Sequence, residues 1–427
     1  MPLASRLRAA LRSPLTPLWA VLALLPFGRS AEAAVLVCML GTVLLFVRHP
    51  RALGEHAGAR LLLWLWGAYV AAALLSTLDA VAPAKSWTST AGYLRFAPFG
   101  LYACYAMRYE ARLRALCFAV AALLAFWMLD AWLQALTGWS LGGRAEAQRI
   151  SGIFGAGNLK LGPTLAVLSP FALWAARERW GRTGLVAAFL LLLGPVLLSG
   201  SRASWLSYAL VALAFAWRET RAPLRFAAWC GATLAVGALA AGLAWRTSPR
   251  FEARIERTLL ALKGDEAAVD AALAGRLDIW RASLRMIAAH PLNGVGVRGF
   301  RYAYPQYAPA GDHFLTAEAC GAGEGACHAH QLLLEVLTET GGVGLLLWLA
   351  AAAAALAAWR RASPAARERA WPASVALAVA VFPFNTHLAF YSAWWGLLFW
   401  WLVAVWCAAL YVFPGAALAA SARGGRA

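Results

Sequence analysis

The sequence predicts an all-α polytopic membrane protein. Of its 427 residues, 62% are hydrophobic and only 14% are charged, and the mean hydropathy is +0.62. A water-soluble protein of this length needs far more polar surface, so the composition excludes a soluble globular fold. Stretches of about 20 apolar residues recur along the chain, and such a stretch is long enough to cross a bilayer as a helix. We predict a single integral membrane domain over residues 1–427.

Twelve apolar segments are candidate membrane spans. They lie near residues 15–28, 31–47, 61–78, 91–107, 113–136, 158–176, 184–199, 203–217, 224–246, 329–358, 371–386 and 389–413. The first 28 residues combine a basic start with an apolar stretch, as a signal peptide does. No clear small-residue cleavage site follows before the next apolar run, so we interpret this segment as a retained helix.

Arginine is concentrated in alternate connections between the predicted spans. Each connection on one side carries at least two arginines, which is the pattern of cytoplasmic loops. This rule places both termini in the cytoplasm and residues 247–328 outside, as a long loop between spans 9 and 10. In a Gram-negative bacterium, the outside is the periplasm. Much of the net charge of +18 is therefore a topology signal and not evidence for nucleic-acid binding.

The external loop contains a predicted helix and two cysteines. The helix in LDIWRASLRMIAAHP has one apolar face, formed by Leu277, Trp280, Leu284 and Ile287. Such an amphipathic helix can lie across the mouth of the bundle. His290-Pro291 ends it. Cys320 and Cys327 lie close in sequence in an oxidising compartment, where a disulfide between them and two free thiols are the alternatives.

Cations on the external side are candidates for binding an anion. Arg202 lies in the short turn of LLSGSRASW, where few basic residues are expected, and Arg276 opens the loop helix. The alternative is an arginine that reaches the interface or the solvent. Further cations on this side would line an electropositive cavity suited to a pyrophosphate. They are Lys85, Arg95, Arg144, Arg149 and Lys160.

Two histidines near the start of the tenth span are candidates for proton transfer. His330 opens the span in HAHQLLLEVLTETGG. A histidine at a helix N-terminus stays neutral and accepts a proton, because the helix dipole disfavours the imidazolium. His328 is the competing candidate, and a structural histidine is the alternative for both. The acidic residues of the loop are scattered, without an Asp-x-Asp pair, so we predict no metal site.

Three stretches of the chain resemble the bacterial O-antigen ligase family. They are SGSRASW, GRLDIWRASLRMIAAHPLNGVGVRGF and HQLLLEVLTETGGVGLLLWL. In the family, the corresponding features are a Ser-Arg turn, a periplasmic block with His-Pro-Leu-x-Gly-x-Gly, and a helix start with His-[Asn/Gln]. Where members often have Asn after the histidine, this chain has Gln331. The spacing to Gly341, Gly342 and Gly344 favours His330 over His328 as the family's histidine.

The resemblance implies a GT-C-type glycosyltransferase of the inner membrane that acts in lipopolysaccharide biosynthesis. It would transfer O-antigen from undecaprenyl pyrophosphate to a sugar hydroxyl of lipid A–core, with inversion and without metal, ATP or another cofactor. Arg202, Arg276 and His330 would be the catalytic residues. The residues expected to bind substrate are Lys85, Arg95, Arg144, Arg149, Lys160, His328 and Gln331.

Other functions remain compatible with the sequence. An O-antigen polymerase and a protein O-oligosaccharyltransferase belong to the same wider group and use the same type of donor. A transporter also fits twelve spans. Against a transporter, the chain has no internal repeat and no clearly interrupted pair of helices, and its candidate polar residues cluster on one side.

Overall fold

The computed structural model describes residues 13–49, 56–146, 149–247, 275–317, 320–383 and 389–413, with six isolated positions between 252 and 273. The basic N-terminal segment and most of the first part of the predicted external loop lie outside the described residues. The prediction of one domain with an external loop at 247–328 therefore stays a prediction. The described chain is mostly helical.

The helices follow one another with short connections. The first are α1 (Thr16–Ala23), α2 (Ala31–Arg48), α3 (Ala57–Thr77), α4 (Pro83–Tyr93), α5 (Phe96–Ala106), α6 (Glu110–Thr137) and α7 (Leu161–Leu198). The next are α8 (Arg202–Thr220), α9 (Pro223–Thr247), α10 (Arg276–Ala289), α11 (Phe300–Tyr307), α12 (His313–Thr316), α13 (Leu332–Arg361), α14 (Pro364–Ala380) and α15 (Ala393–Leu410). Between α6 and α7 lie an antiparallel hairpin of β1 (Trp139–Ser140) and β2 (Gly143–Arg144) and a 3-10 turn (Gly152–Phe154).

Seven of the described helices are long and apolar enough to cross a membrane: α2, α3, α6, α7, α9, α13 and α15. This architecture is that of an all-α polytopic membrane protein, as predicted. The number of twelve spans stays a prediction. Segment 15–28 is helical only as α1, since turns follow at Pro26 and Gly28, and segment 91–107 is divided between α4 and α5.

Helix α7 is a hairpin of two antiparallel arms. Gly181 interrupts it with φ 65° and ψ −152°, a conformation open to glycine. The two ends of α7 are adjacent, because a Cβ on Gly162 would lie only 2.1 Å from Ser199 Oγ. The arms correspond to the two predicted segments 158–176 and 184–199.

Helix α15 lies in the centre of the bundle. Trp400 and Trp401 on this helix are almost completely buried. The indole N–H of Trp401 donates to the Leu18 carbonyl of α1 at 2.9 Å, and that of Trp394 donates to Leu25 at 3.0 Å. Because buried indole N–H groups need an acceptor, these bonds attach α1 and the turn after it to the central helix.

Ion pairs join four helices at one end of the bundle, which we call the arginine-rich end. The pairs are Arg114–Glu178, Arg177–Glu219, Arg182–Glu219, Arg218–Glu368 and Arg369–Glu110. They connect α6 to α7, α7 to α8, α8 to α14 and α14 back to α6, so they form a closed ring. The starts of α7, α8 and α15 lie at the opposite end.

Helix α13 is interrupted at Gly341, where φ is 63° and ψ is −167°. The interruption leaves backbone groups without partners in the helix, and the turn at 291–295 provides those partners. Val295 N donates to the Thr338 carbonyl at 2.7 Å, Gly342 N donates to Pro291 at 2.8 Å, and Val343 N donates to Leu292 at 3.1 Å. In apolar surroundings, each of these groups would otherwise be costly to bury.

Helices α10 and α11 pack with the segment before α13 in a small cluster, which we call the loop core. Its buried members are Ile279, Ala282, Met286, Val295, Phe300, Ala303, Tyr304, Ala326 and Ala329. The apolar face predicted for α10 is therefore wrong: Leu284 is 59% exposed, whereas Ile279 and Met286 are buried. The alternate face is buried because α10 packs against protein on that side.

The loop core is closed by covalent and ionic contacts near its edge. Cys320 and Cys327 form a disulfide with a Cα–Cα distance of 5.1 Å. Between them, Glu324 accepts a hydrogen bond from Arg301 on α11 at 3.4 Å. The disulfide loop is thus attached to α11 and ends directly before His328.

We expect Gly341→Ala to destabilise the protein strongly. A Cβ at this position would lie 2.1 Å from the Leu292 carbonyl oxygen, and the left-handed backbone alone costs about 1–3 kcal/mol for a residue other than glycine. Thermal unfolding in detergent measures the change. Gly231→Ala on α9 is the control, because a Cβ there meets no atom within 4 Å. Equal melting temperatures for the two variants would contradict the role of the interruption.

We expect Cys327→Ser to loosen the loop core. A cross-link over a sequence separation of 7 residues removes unfolded-state entropy worth about 2–3 kcal/mol. Hydrogen exchange in peptides from residues 300–330 should therefore be faster in this variant and in reduced wild type. Cys230→Ser is the matched control, since Cys230 is a free cysteine on α9. Unchanged exchange in Cys327→Ser would show that the bond does not stabilise the loop.

Candidate functional site

His330 lies just before the first turn of α13. Its backbone is left-handed with φ 53°, a conformation that clusters at functional sites when it occurs outside glycine. Gln331 caps the helix, because its side-chain oxygen accepts a hydrogen bond from Leu334 N at 2.6 Å. The rings of His328 and His330 lie against each other with centroids 3.8 Å apart. The two candidate bases therefore form one imidazole pair.

Arg276 is the first residue of α10 and follows Gly275, whose φ is 75°. One guanidinium nitrogen of Arg276 donates to the Leu273 carbonyl at 3.4 Å. One turn later, the indole N–H of Trp280 donates to the Ala329 carbonyl at 3.2 Å. Since Ala329 lies between the two histidines, helix α10 is attached directly to the imidazole pair.

Arg202 is the first residue of α8, and Ser201 caps this helix by accepting from Ser204 N at 3.2 Å. Lys160 caps α7 nearby, since a Cβ on Gly162 would lie 3.0 Å from Ser204 Oγ. Ile150 N donates to the Leu198 carbonyl at 3.1 Å, which brings the chain beside Arg149 to the same place. Three predicted cations, Arg149, Lys160 and Arg202, thus belong to one region around the ends of α7 and the start of α8.

The region of Arg202 adjoins the start of α13. Leu332, two residues after His330, lines the same small cavity as Val167 on the first arm of α7. Trp395 also lines it, and the neighbouring Trp394 ring carries the Lys160 ammonium at 4.8 Å from its centroid. The starts of α7, α13 and α15 therefore face one another. Helix N-termini carry partial positive charge, so such an arrangement suits an anion.

The other predicted cations contact protein groups. Arg95 pairs with Glu32 at 3.1 Å, and its side chain is 18% exposed. Arg149 pairs with Glu146 at 2.8 Å, while Arg144 lies over the Trp139 ring at 4.6 Å. Lys85 is exposed near the start of α4. An anion bound by Arg95 or Arg149 would have to share that arginine with a carboxylate, and the role of these residues in binding substrate stays a prediction.

Sequence reasoning missed two buried acids on α13. Glu335 and Glu339 are both 0% exposed. Glu335 accepts a hydrogen bond from Tyr391 N at 3.2 Å, and Glu339 accepts one from Arg298 N at 2.8 Å. A signal was present in the sequence, because two carboxylates one turn apart inside a predicted span are expensive to bury and usually have a role.

Asp130, another acid inside a predicted span, has a structural contact. One of its carboxylate oxygens accepts from Leu141 N at 2.8 Å, and it thereby holds the hairpin that follows α6. Gln134 on the same helix accepts from Ser151 N and Gly152 N at 2.8 and 2.7 Å. These bonds fix the segment that leads to Arg149 and Lys160.

A tyrosine and an acid stabilise the loop core beside the histidines. Tyr304 donates its phenolic hydrogen to Asp312 at 3.1 Å, and both side chains are buried. Burial and the Asp312 charge raise the pKa of Tyr304 well above its usual range. The phenol therefore stays protonated, and the bond persists at any pH at which the protein is folded.

The motif-bearing part of the chain matches a known family. Residues 186–349 match the family model described as O-antigen ligase. No curated protein matches the chain. The matched range runs from the second arm of α7 to the middle of α13, and it contains Arg202, Arg276 and His330. Over residues 186–349, the chain therefore belongs to the O-antigen ligase family, as its three motifs predicted.

Proposed function

We propose that this protein is an O-antigen ligase that transfers O-antigen polysaccharide from undecaprenyl pyrophosphate to a sugar hydroxyl of lipid A–core. The observation that carries the proposal is the family match, whose range contains all three residues proposed to be catalytic. Each of these residues also lies within two residues of a helix start, at α8, α10 and α13. This placement suits a reaction in which negative charge develops on a phosphate group.

The proposed reaction is a single displacement. The acceptor hydroxyl attacks the anomeric carbon of the first O-antigen sugar, the carbon–oxygen bond to pyrophosphate breaks, and the configuration inverts. His330 accepts the proton of the hydroxyl, and His328 and Gln331 help to orient the ring and the acceptor. Arg202 and Arg276 stabilise the charge on the departing pyrophosphate, with Lys160 beside them.

The substrates and the membrane topology give the site its place in this proposal. Donor and acceptor are both anchored in lipid, so a site at the end of the bundle opposite the arginine-rich end can meet both. The arginine-rich end would face the cytoplasm and the site the periplasm of a Gram-negative inner membrane. No metal, ATP or other cofactor takes part, because the donor already carries an activated leaving group.

We expect the substitutions His330→Ala, Arg202→Ala and Arg276→Ala each to reduce transfer at least about 100-fold, because a general base and a cation on the leaving group each contribute about that much. The assay combines purified protein in liposomes with undecaprenyl-pyrophosphate-linked O-antigen and lipid A–core. Arg246→Ala is the control, since Arg246 is exposed at the end of α9. A lipopolysaccharide ladder measures the activity.

The outcomes of this assay separate the alternatives. Normal activity of Arg202→Ala or Arg276→Ala would remove the pyrophosphate clamp from the mechanism. Lengthening of chains on the undecaprenyl carrier would identify a polymerase. If wild type transferred sugar to no acceptor, a transporter would become the better explanation.

Chelation should leave transfer unchanged. The proposed charge stabilisation comes from arginines, so EDTA in excess over any divalent ion removes nothing that the reaction needs. Initial rates with and without EDTA measure this. Loss of activity that Mg²⁺ or Mn²⁺ restores would contradict the metal-free mechanism.

A further inference from the structure

Two carboxylates lie in the helix that directly follows the imidazole pair. Glu335 and Glu339 are one helical turn apart on α13, and neither is exposed. Glu335 belongs to the first turn of the helix, because its backbone N donates to the Gln331 carbonyl at 2.9 Å. Any shift of these side chains therefore moves the backbone next to His330.

Glu339 fixes the turn that follows the Arg276 helix. It accepts the backbone hydrogen of Arg298, whose left-handed φ of 62° is unfavourable for a residue other than glycine. The charge of Arg298 also acts on both carboxylates. The turn leads back to α10, which begins with Arg276. One carboxylate thus connects the helix of His330 with the chain that positions Arg276.

Glu335 fixes the same helix to the opposite side of the bundle. It accepts the backbone hydrogen of Tyr391, in the turn before α15. The Tyr391 hydroxyl lies 3.2 Å from Thr340 Oγ1, one residue before the interruption of α13. The Tyr391 carbonyl accepts from the Tyr93 hydroxyl at 2.7 Å. The second carboxylate therefore connects the His330 helix with α15 and α4.

We propose that Glu335 and Glu339 are positioning residues, which hold His330 at a fixed distance from Arg276 and from the start of α15. The inference rests on the proposed function for its effect on transfer. The carboxylates act through backbone hydrogen bonds and do not touch the substrate. A glutamine keeps a side-chain oxygen for each bond, whereas an alanine leaves a buried N–H without its acceptor.

The test compares Glu339→Ala, Glu339→Gln, Glu335→Ala and Glu335→Gln with wild type. We expect the alanine variants to lower kcat about 10- to 100-fold per folded molecule, with KM within about twofold, since a small displacement of a catalytic group has this effect. The glutamine variants should recover most of kcat. Gel filtration in detergent gives the folded amount.

Leu337→Ala is the matched control for the alanine variants. Leu337 lies between the two acids on α13 and is half-buried. Its truncation removes side-chain volume from the same turn of the helix but takes no acceptor from a backbone N–H. We therefore expect its kcat per folded molecule to stay close to that of wild type.

A second measurement does not depend on catalysis. Diethyl pyrocarbonate modifies accessible imidazoles, and mass spectrometry of the peptide gives the rate at His330 and His328. We expect a change of several-fold in the alanine variants of the two acids and none in the glutamine variants or in Leu337→Ala.

The two measurements separate the failure of this inference from that of the proposed function. If wild type transfers sugar but the alanine variants only reduce the yield of folded protein, with normal kcat, the positioning role is wrong. It is also wrong if glutamine is as damaging as alanine. If wild type transfers nothing, the proposed function fails, and unchanged modification rates in the alanine variants would then overturn the positioning role as well.

Discussion

The pairing between the turn at 291–295 and the interrupted helix α13 is the constraint on which the site depends. At Gly341 the helix loses its own hydrogen bonds in an apolar environment, and three backbone bonds from the turn replace them. The same pairing brings Arg298 to Glu339 and keeps α10 beside the histidines. Catalytic geometry and backbone satisfaction are therefore one problem in this protein, because a chain that lost the pairing would lose both.

The sequence predicted the local elements of this arrangement but not their assembly. His290-Pro291 and the glycines after it correctly indicated that α10 ends in a turn. Nothing local showed that this turn would pair with Gly341, since two adjacent glycines in an apolar stretch read as part of a span. The apolar face of α10 was misjudged for the same reason: the partner that buries Ile279 lies distant in sequence.

Charge was read more reliably as topology than as chemistry. Alternation of arginine along the chain corresponds to real clusters at one end of the bundle, because the connections that carry it meet there. The residue-by-residue prediction for the external cations was harder. Arg95 and Arg149 each have an acidic partner that sequence could not identify, since Glu32 and Glu146 only come into contact through the fold. The buried pair on α13 escaped notice because its partners are backbone groups.

The ring of ion pairs at the arginine-rich end has a mechanical consequence. A single exposed pair contributes only about 0.2–1 kcal/mol, but a closed circuit requires several pairs to break before any one of its helices can move away. Helices α6, α7, α8 and α14 are tied there, so they can separate only at their other ends, as the arms of a clothes-peg do. Lipid-anchored molecules too bulky for a closed bundle would then be admitted from the side at one face of the membrane alone.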